Sequence, residues 1–249
     1  MASIAFSKLT KLQDESLVDN VYKEIKNNVL SHVLKGGEKL SIKQIAREMG
    51  ISLTPVRDAV NKLAHDGLLT TVPGSGTYVT SLTPQDVNEL FECRNILELA
   101  AIESAVPRMT ETAMQELRRN LEQMLVEGKR FLDTLTITDN HESQAIQTPY
   151  FELDDRFHET IVMQACNRQL LKLYNSVNLS MHVVRAVYWD HMRHVNQRME
   201  STFTEHQRIL DAIEAGNIDA AKAAVRRHLE QGKLVALSHM LKSDEVTAG

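Results

Sequence analysis

Four residues in the C-terminal part of this 249-residue chain have the types and spacing of a metal site: Asp154, His158, His206 and His228. Asp154 and His158 are four apart on a predicted helix, so both project from one face. His206 stands ten residues before Gly216 and His228 twelve after it, on helices that meet at that glycine. At about 1.5 Å of rise per residue each lies roughly 15–18 Å from the turn, and an antiparallel pair brings them level. Three imidazoles and a carboxylate converging inside a bundle suit zinc, nickel or a similar divalent ion. Ligation needs neutral imidazoles, so affinity should fall as pH drops through the histidine range. The competing reading is that histidines are merely frequent here. Eight of the ten follow residue 80, and His191 and His194 form a rival pair, with His182 a further spare.

Long amphipathic helices must position these side chains. From Thr83 onward Gly and Pro become rare and strand-like alternation disappears. Thr83-Pro84-Gln85-Asp86 reads as a capping box with Asp in the place of Glu, opening a helix through about Val106 that Pro107 ends. A second helix is expected from about Glu111 to Leu132. The stretch 133–149 (DTLTITDNHESQAIQTP) is polar and aperiodic and reads as a loop. Further helices follow over about 150–165, 169–189, 201–215 and 218–242. Six helices with short connections make an antiparallel bundle. Cys93 and Cys166 lack metal or redox spacing, and their apolar helical surroundings predict buried free thiols in a reducing compartment.

Residues 1–80 follow different rules. Asp14 or Ser16 can cap a predicted helix from about Leu17 to Leu34, with Val18, Val21, Tyr22, Ile25, Val29 and Val33 as its apolar stripe and Gly36-Gly37 as its stop. Its other face carries Lys23 and Lys26, for phosphate or for solvent. Ser41 caps a short helix with Ile42, Ile45 and Met49 at helical spacing, and Gly50 ends it. Thr54 is the expected cap of the next, with Pro55 at its first position. Val56, Val60, Leu63 and Ala64 form the buried stripe of that helix, and Arg57, Asn61 and Lys62 the open face. An apolar, Thr-rich hairpin with a Gly-Ser-Gly tip completes a winged helix-turn-helix, which sets a helix in a DNA major groove. The bland alternative is a helical hairpin beside a β-ribbon, packed for stability alone.

The charge distribution agrees with a DNA reader. The whole chain carries −5, but residues 1–80 hold ten Lys/Arg against eight Asp/Glu, and residues 81–249 eighteen against twenty-five. Phosphate contacts need only a local basic surface, and a net +2 is modest enough that two copies are expected to bind together as a homodimer. The N-terminal MASIAFSKLTKLQ is too short and polar for a signal peptide, and no apolar run reaches bilayer length. A cytoplasmic protein without membrane contact is expected. The fold class is mostly α: a winged helix-turn-helix over 1–80 followed by an all-α antiparallel bundle over 81–249.

The segments GGEKLS, LTPVRDAVNKLAHDGLL and PGSGTYV resemble the GntR family of bacterial transcriptional regulators. That resemblance implies that Lys43, Ser52, Leu53, Thr54 and Arg57 face operator DNA and that the wing tip, Gly74, Ser75 and Gly76, enters the minor groove. The family often has Arg where this chain has Leu53, and often a charged or polar residue, commonly Arg, where it has Ser75. Leu offers only apolar contact where Arg bonds guanine twice, so the operator sequence does not carry over. The segments ECRNILELAAIESAV, DDRFHETIVMQACNRQLL and TEHQRILDAIEAGNIDAAKAAVRRHLE are similar to the FCD effector domain of the FadR subfamily. The metal ligands of its metal-binding members fall on Asp154, His158, His206 and His228. Arg94 falls where a guanidinium contacts a ligand carboxylate, although an ion pair with Glu98, four residues on, is the structural alternative. Asn167 corresponds to a helix-ending, structural Asn.

These expectations combine into a DNA-binding regulator, in the family's commoner mode a repressor. Its operator affinity answers to a small organic acid beside a divalent metal, zinc first. Two alternatives stand beside it: a helical metalloenzyme using the Asp/His site to activate water, and a regulator whose metal is purely structural.

Overall fold

The computed structural model describes residues 16–30, 33–135, 141–189 and 195–247. They form two compact units, Met1–Thr83 with Leu179–Asp190, and Pro84–Asn178 with His191–Gly249. Asp14, His191 and His194 lie outside the described residues.

In the first unit, the Ser16 hydroxyl accepts from the Asp19 N–H (3.2 Å) and donates to the Asp19 carboxylate (2.7 Å), opening α1 (Leu17–Leu30). The described helix stops at Leu30, short of the expected Leu34. With the helical period broken, Val33 is 46% exposed and Leu34 is buried in its stead. β1 (Lys39–Leu40) leads into α2 (Ile42–Met49), where Ser41 accepts from the Gln44 N–H as expected. Gly50 closes α2 in the left-handed region at φ 71°, which a residue with a β-carbon adopts only with strain. α3 (Leu53–His65) has Ser52, not Thr54, at its N-cap position, and the Ser52 side chain makes no capping hydrogen bond. Pro55 is therefore the third helical residue, still within the turn whose N–H groups have no intrahelical acceptor. Val56, Val60 and Leu63 are buried as expected, together with Ala59.

β2 (Leu69–Val72) and β3 (Gly76–Val79) form the hairpin, and the sheet order is β1-β3-β2, antiparallel throughout. One apolar cluster holds the unit together: Val21, Ile25 and Val29 of α1, Ile45 and Met49 of α2, the α3 stripe, and Leu68, Leu69 and Val79 of the ribbon. Leu179 and Val183, late in the helix Arg168–Trp189, join it, a contribution the sequence pattern does not announce. Full burial of each such side chain contributes about 1.5–3 kcal/mol.

The second unit is helical. α4 (Pro84–Ala105) starts where Thr83-Pro84 predicted, and a 3-10 turn at Val106–Arg108 takes up Pro107. α5 (Glu111–Leu135) and α6 (His141–Gln164) follow, then α7 (Arg168–Trp189), α8 (Val195–Glu214) and α9 (Ile218–Thr247). α4 packs on α9 and α6, α5 on α6 and α8, and α8 on α9. The 133–149 loop is thus corrected. α5 runs on through Leu135 and α6 already begins at His141, leaving 136–140 outside the described residues. Residues 141–149 lack an apolar stripe, the signal that periodicity depends on, but their Glu, Gln and Ala are good helix formers.

The cysteines are also corrected: both are exposed. Cys93 sits beside, not on, the buried face of α4, which is Val87, Phe91, Arg94, Glu98, Ala101, Ile102 and Ala105. Cys166 lies past the end of α6 at φ 53°. Asn167 is structural, but it begins a helix instead of ending one. Its Oδ1 accepts from the N–H groups of Gln169 and Leu170, both at 3.1 Å, and so caps α7.

Candidate functional site

Two charged residues on the buried face of α4 begin the site. Arg94 Nε donates to Glu98 Oε1 at 2.5 Å, and both side chains are buried. This is the ion pair that the spacing allowed. It uses only part of the guanidinium, because Arg94 Nη2 is buried without a hydrogen-bond partner. The second oxygen of Glu98 reaches α6, where it accepts from His158 Nδ1 at 2.7 Å. Burial opposes the charge on Glu98, but Arg94 and His158 overcome it and hold its carboxyl at about 2. Burial likewise opposes the charge on Arg94, and Glu98 with Tyr174, Asp154 and Asp155 outweighs it, raising the pKa.

The α8–α9 turn at Gly216 brings His206 and His228 level, with ring centres 4.5 Å apart. Each has an acceptor behind it. His228 Nδ1 donates to Glu205 Oε2 (2.9 Å), and His206 Nδ1 to the Thr202 carbonyl (2.8 Å). Carboxylates and carbonyls only accept, so each imidazole, when neutral, carries its proton on Nδ1 and presents a bare Nε2. Those Nε2 atoms face one another. His158 lies 3.2 Å from both His228 and His206, and His206 Nε2 is 3.1 Å from Asp154 Oδ1. Phe157 braces two rings edge-on, at 5.7 Å from His158 and 4.7 Å from His206.

Between neutral rings of this tautomer the facing lone pairs repel and no hydrogen bond joins them. A cation about 2.1 Å from each donor resolves the arrangement, because such donors stand roughly 3–3.4 Å apart around one ion. All four ligand atoms of Asp154, His158, His206 and His228 lie within 4.8 Å of one another, and all four residues are buried. Burial lowers the pKa of His158, with Arg94 adding to it. Burial, then the neighbouring His206 and His158, lowers His228 to about 3. Both are neutral at pH 7, as ligation requires. The donor set, its tautomers and its acceptors therefore fit a divalent metal.

Sequence reasoning missed Glu205, which on an amphipathic helix reads as a solvated charge, and it saw in Glu98 only a partner for Arg94, not the acceptor of His158 Nδ1. Their type is that of the carboxylate behind a metal-bound imidazole, which fixes the ring and its tautomer. Asn120 of α5 was missed too; it is buried with both Nδ2 and Oδ1 unpartnered.

On the first unit, Lys43, Ser52, Thr54 and Arg57 are exposed on α2, its turn and α3, and Gly74 and Ser75 are exposed at the wing tip. Leu53 and Gly76 are half-buried, and Leu53 packs against the apolar cluster. Lys62, read as part of the open face, is tied to α1 by Asp19 (3.1 Å) and by the Tyr22 ring (4.7 Å).

A winged helix-turn-helix unit followed by a helical unit with a buried Asp/His cluster is the make-up of one class of DNA-binding regulator. Residues 17–79 match the bacterial regulatory proteins of the gntR family, and residues 89–231 match the FCD domain. The HTH-type transcriptional regulator YdhC of Bacillus subtilis (strain 168) is 31% identical over 209 residues, covering 83% of this chain and 85% of YdhC. The HTH-type transcriptional repressor RspR of Escherichia coli (strain K12) is 25% identical, covering 85% of each. Among solved structures, E. coli McbR/YncC superposes with a TM-score of 0.73 at 20% identity, covering 91% of this chain and 100% of McbR/YncC. A GntR regulator from Rhodococcus sp. RHA1 gives 0.69 at 22%, covering 90% and 99%. These last two likenesses show the fold.

The chain belongs to the GntR family, in the branch that carries an FCD domain. It is a transcriptional regulator and not an enzyme, so the metalloenzyme alternative is set aside. No helix among the described residues is long and apolar enough to cross a membrane.

Proposed function

We propose that residues 81–249 sense a small carboxylate metabolite at a metal held by Asp154, His158, His206 and His228, and that residues 1–80 repress transcription from an operator accordingly. The observation that carries this reading is the set of three bare Nε2 atoms and one carboxylate facing a single point inside an otherwise packed unit. Zinc suits these N/O ligands, and nickel shares them. When bound, such a metal supplies a Lewis-acidic positive charge with positions open to a carboxylate.

The residues around it do the rest. Glu98, Glu205 and Thr202 hold the three rings in the ligating tautomer. Arg94 offers its unpartnered Nη2 to the ligand carboxylate while Nε stays on Glu98. Because Glu98 also holds His158, the same carboxylate links the proposed ligand contact to the metal ligand. Lys43, Ser52, Leu53, Thr54 and Arg57 with the wing tip Gly74-Ser75-Gly76 read DNA. The protein acts as a cytoplasmic homodimer, because helix-turn-helix readers span two half-sites about one helical turn apart. Operator affinity changes only if the two states differ in affinity for the acid.

The test is operator affinity, with and without candidate acids, for the wild-type chain and a His206→Ala/His228→Ala variant. Loss of the response with retained DNA binding is expected. An unchanged response would defeat the metal-pocket reading.

A further inference from the structure

The wing tip, Pro73-Gly74-Ser75-Gly76, has no cation of its own. The neighbouring strand brings one to it. In the β1–β3 ladder Lys39 stands opposite Tyr78, and Leu40 opposite Thr77. Paired residues share a face of the sheet. Leu40 and Thr77 are buried, so Lys39 and Tyr78 point outward. Lys39 Nζ lies 5.7 Å from the centre of the Tyr78 ring, within cation–π range, and the Tyr78 hydroxyl is 2.5 Å from Ser75 Oγ in the tip.

Against Gly76 the lysine lies closer still. A β-carbon on that glycine would stand 2.7 Å from Lys39 Cε and 3.4 Å from Nζ. Gly76 also has a φ of 137°, which few other residues adopt. Glycine is thus what lets the lysine stem cross the tip. No carboxylate among the described residues pairs with Lys39, unlike Lys62 on Asp19.

We propose that Lys39 is the phosphate-binding cation of the wing, laid over Gly76 and steadied by Tyr78. It serves where an arginine in the tip itself would otherwise serve. The contact is to the DNA backbone beside the minor groove, whose negative potential draws in cationic side chains. It carries no base preference. The proposal rests on the wing being a DNA-contacting element.

The test uses two duplexes of equal length: one selected from a random pool by the wild-type protein, and one of random sequence. Affinity is followed against KCl for wild type, Lys39→Gln, Lys39→Arg and Tyr78→Leu. Loss of one phosphate contact should lower the slope of log affinity on log salt by about 0.9 per protomer, or roughly fivefold in affinity near 0.15 M salt. The factor should be the same on both duplexes. Lys39→Arg should restore it, Tyr78→Leu should lose part of it, and the melting temperature of Lys39→Gln should stay that of wild type. Parallel salt slopes for wild type and Lys39→Gln would overturn the proposal, as would a loss confined to the selected duplex. Failure of the wild-type chain to bind either duplex would instead remove the DNA-reading surface altogether.

Discussion

The first unit keeps its core apolar and its chemistry outside, whereas the helical unit buries its chemistry. Of the eleven buried polar or charged side chains among the described residues, Thr77 alone belongs to the winged unit, and the other ten lie in the helical one. Arg57 and Lys43 therefore cost the fold nothing. In the helical unit Arg94, Glu98, Asp154, His158, Glu205, His206 and His228 stand where leucines would serve stability better. Buried ion pairs seldom gain on apolar replacements. On the proposed reading they are there to bind a ligand, and they would leave that unit sensitive to pH and to metal in a way the winged unit is not.

The largest break in this contrast should come from Glu98→Ala. It strands the buried Arg94 charge and removes the acceptor of His158, and losing one partner of a buried pair costs about 3–5 kcal/mol. Thermal unfolding should show the helical unit destabilised, with hydrogen exchange in α1–α3 unchanged. Leu63→Ala should do the reverse. A leucine-to-alanine cavity costs about 2–5 kcal/mol, confined to the winged unit, and metal content should not change.

Glu205→Gln removes the charge behind His228 without removing bulk. Metal affinity, measured by competition with a chelator, should fall roughly 10–100-fold, with little effect on DNA binding by the winged unit. The pH response follows from His158 and His228, whose folded pKa values lie below the unfolded 6.5. Between 6.5 and about 3 the unfolded chain binds protons that the folded His228 refuses. Stability is therefore complete above 6.5 and is lost as pH falls through that window. Denaturant titrations at about pH 7.5 and about pH 5.5 should show the loss in the helical unit alone. Smallest in stability is Arg57→Ala, expected within about ±0.5 kcal/mol yet weakening operator binding.

The same contrast explains what the sequence made legible. The proposed DNA-reading surface is built from local signals. Ser41, Gly50 and the 3.6-residue stripes of α2 and α3 needed no tertiary partner to be read, and only the cap of α3 shifted, from Thr54 to Ser52. The clustering of Asp154, His158, His206 and His228 was legible because helical spacing joins the first two and Gly216 sets the level of the others. Glu205 was not, since a carboxylate on a helix is ordinarily solvated, and Glu98 was legible as the partner of Arg94 but not of His158. Nor was the burial of Arg94 in preference to Cys93 and Ile96, the latter 67% exposed. Composition favours the reverse, and only the approach of α6 and α9 to α4 decides it. The start of α6, 141–149, misled for the opposite reason: a helix turn without an apolar stripe has no period to detect.

The most direct test of the central claim is elemental analysis of the full-length chain after exposure to one equivalent of zinc and removal of free metal by gel filtration. One ion per chain is predicted for wild type, and none for a folded Asp154→Ala/His206→Ala variant. A folded wild-type chain that retains no metal, or a variant that retains as much, would contradict it.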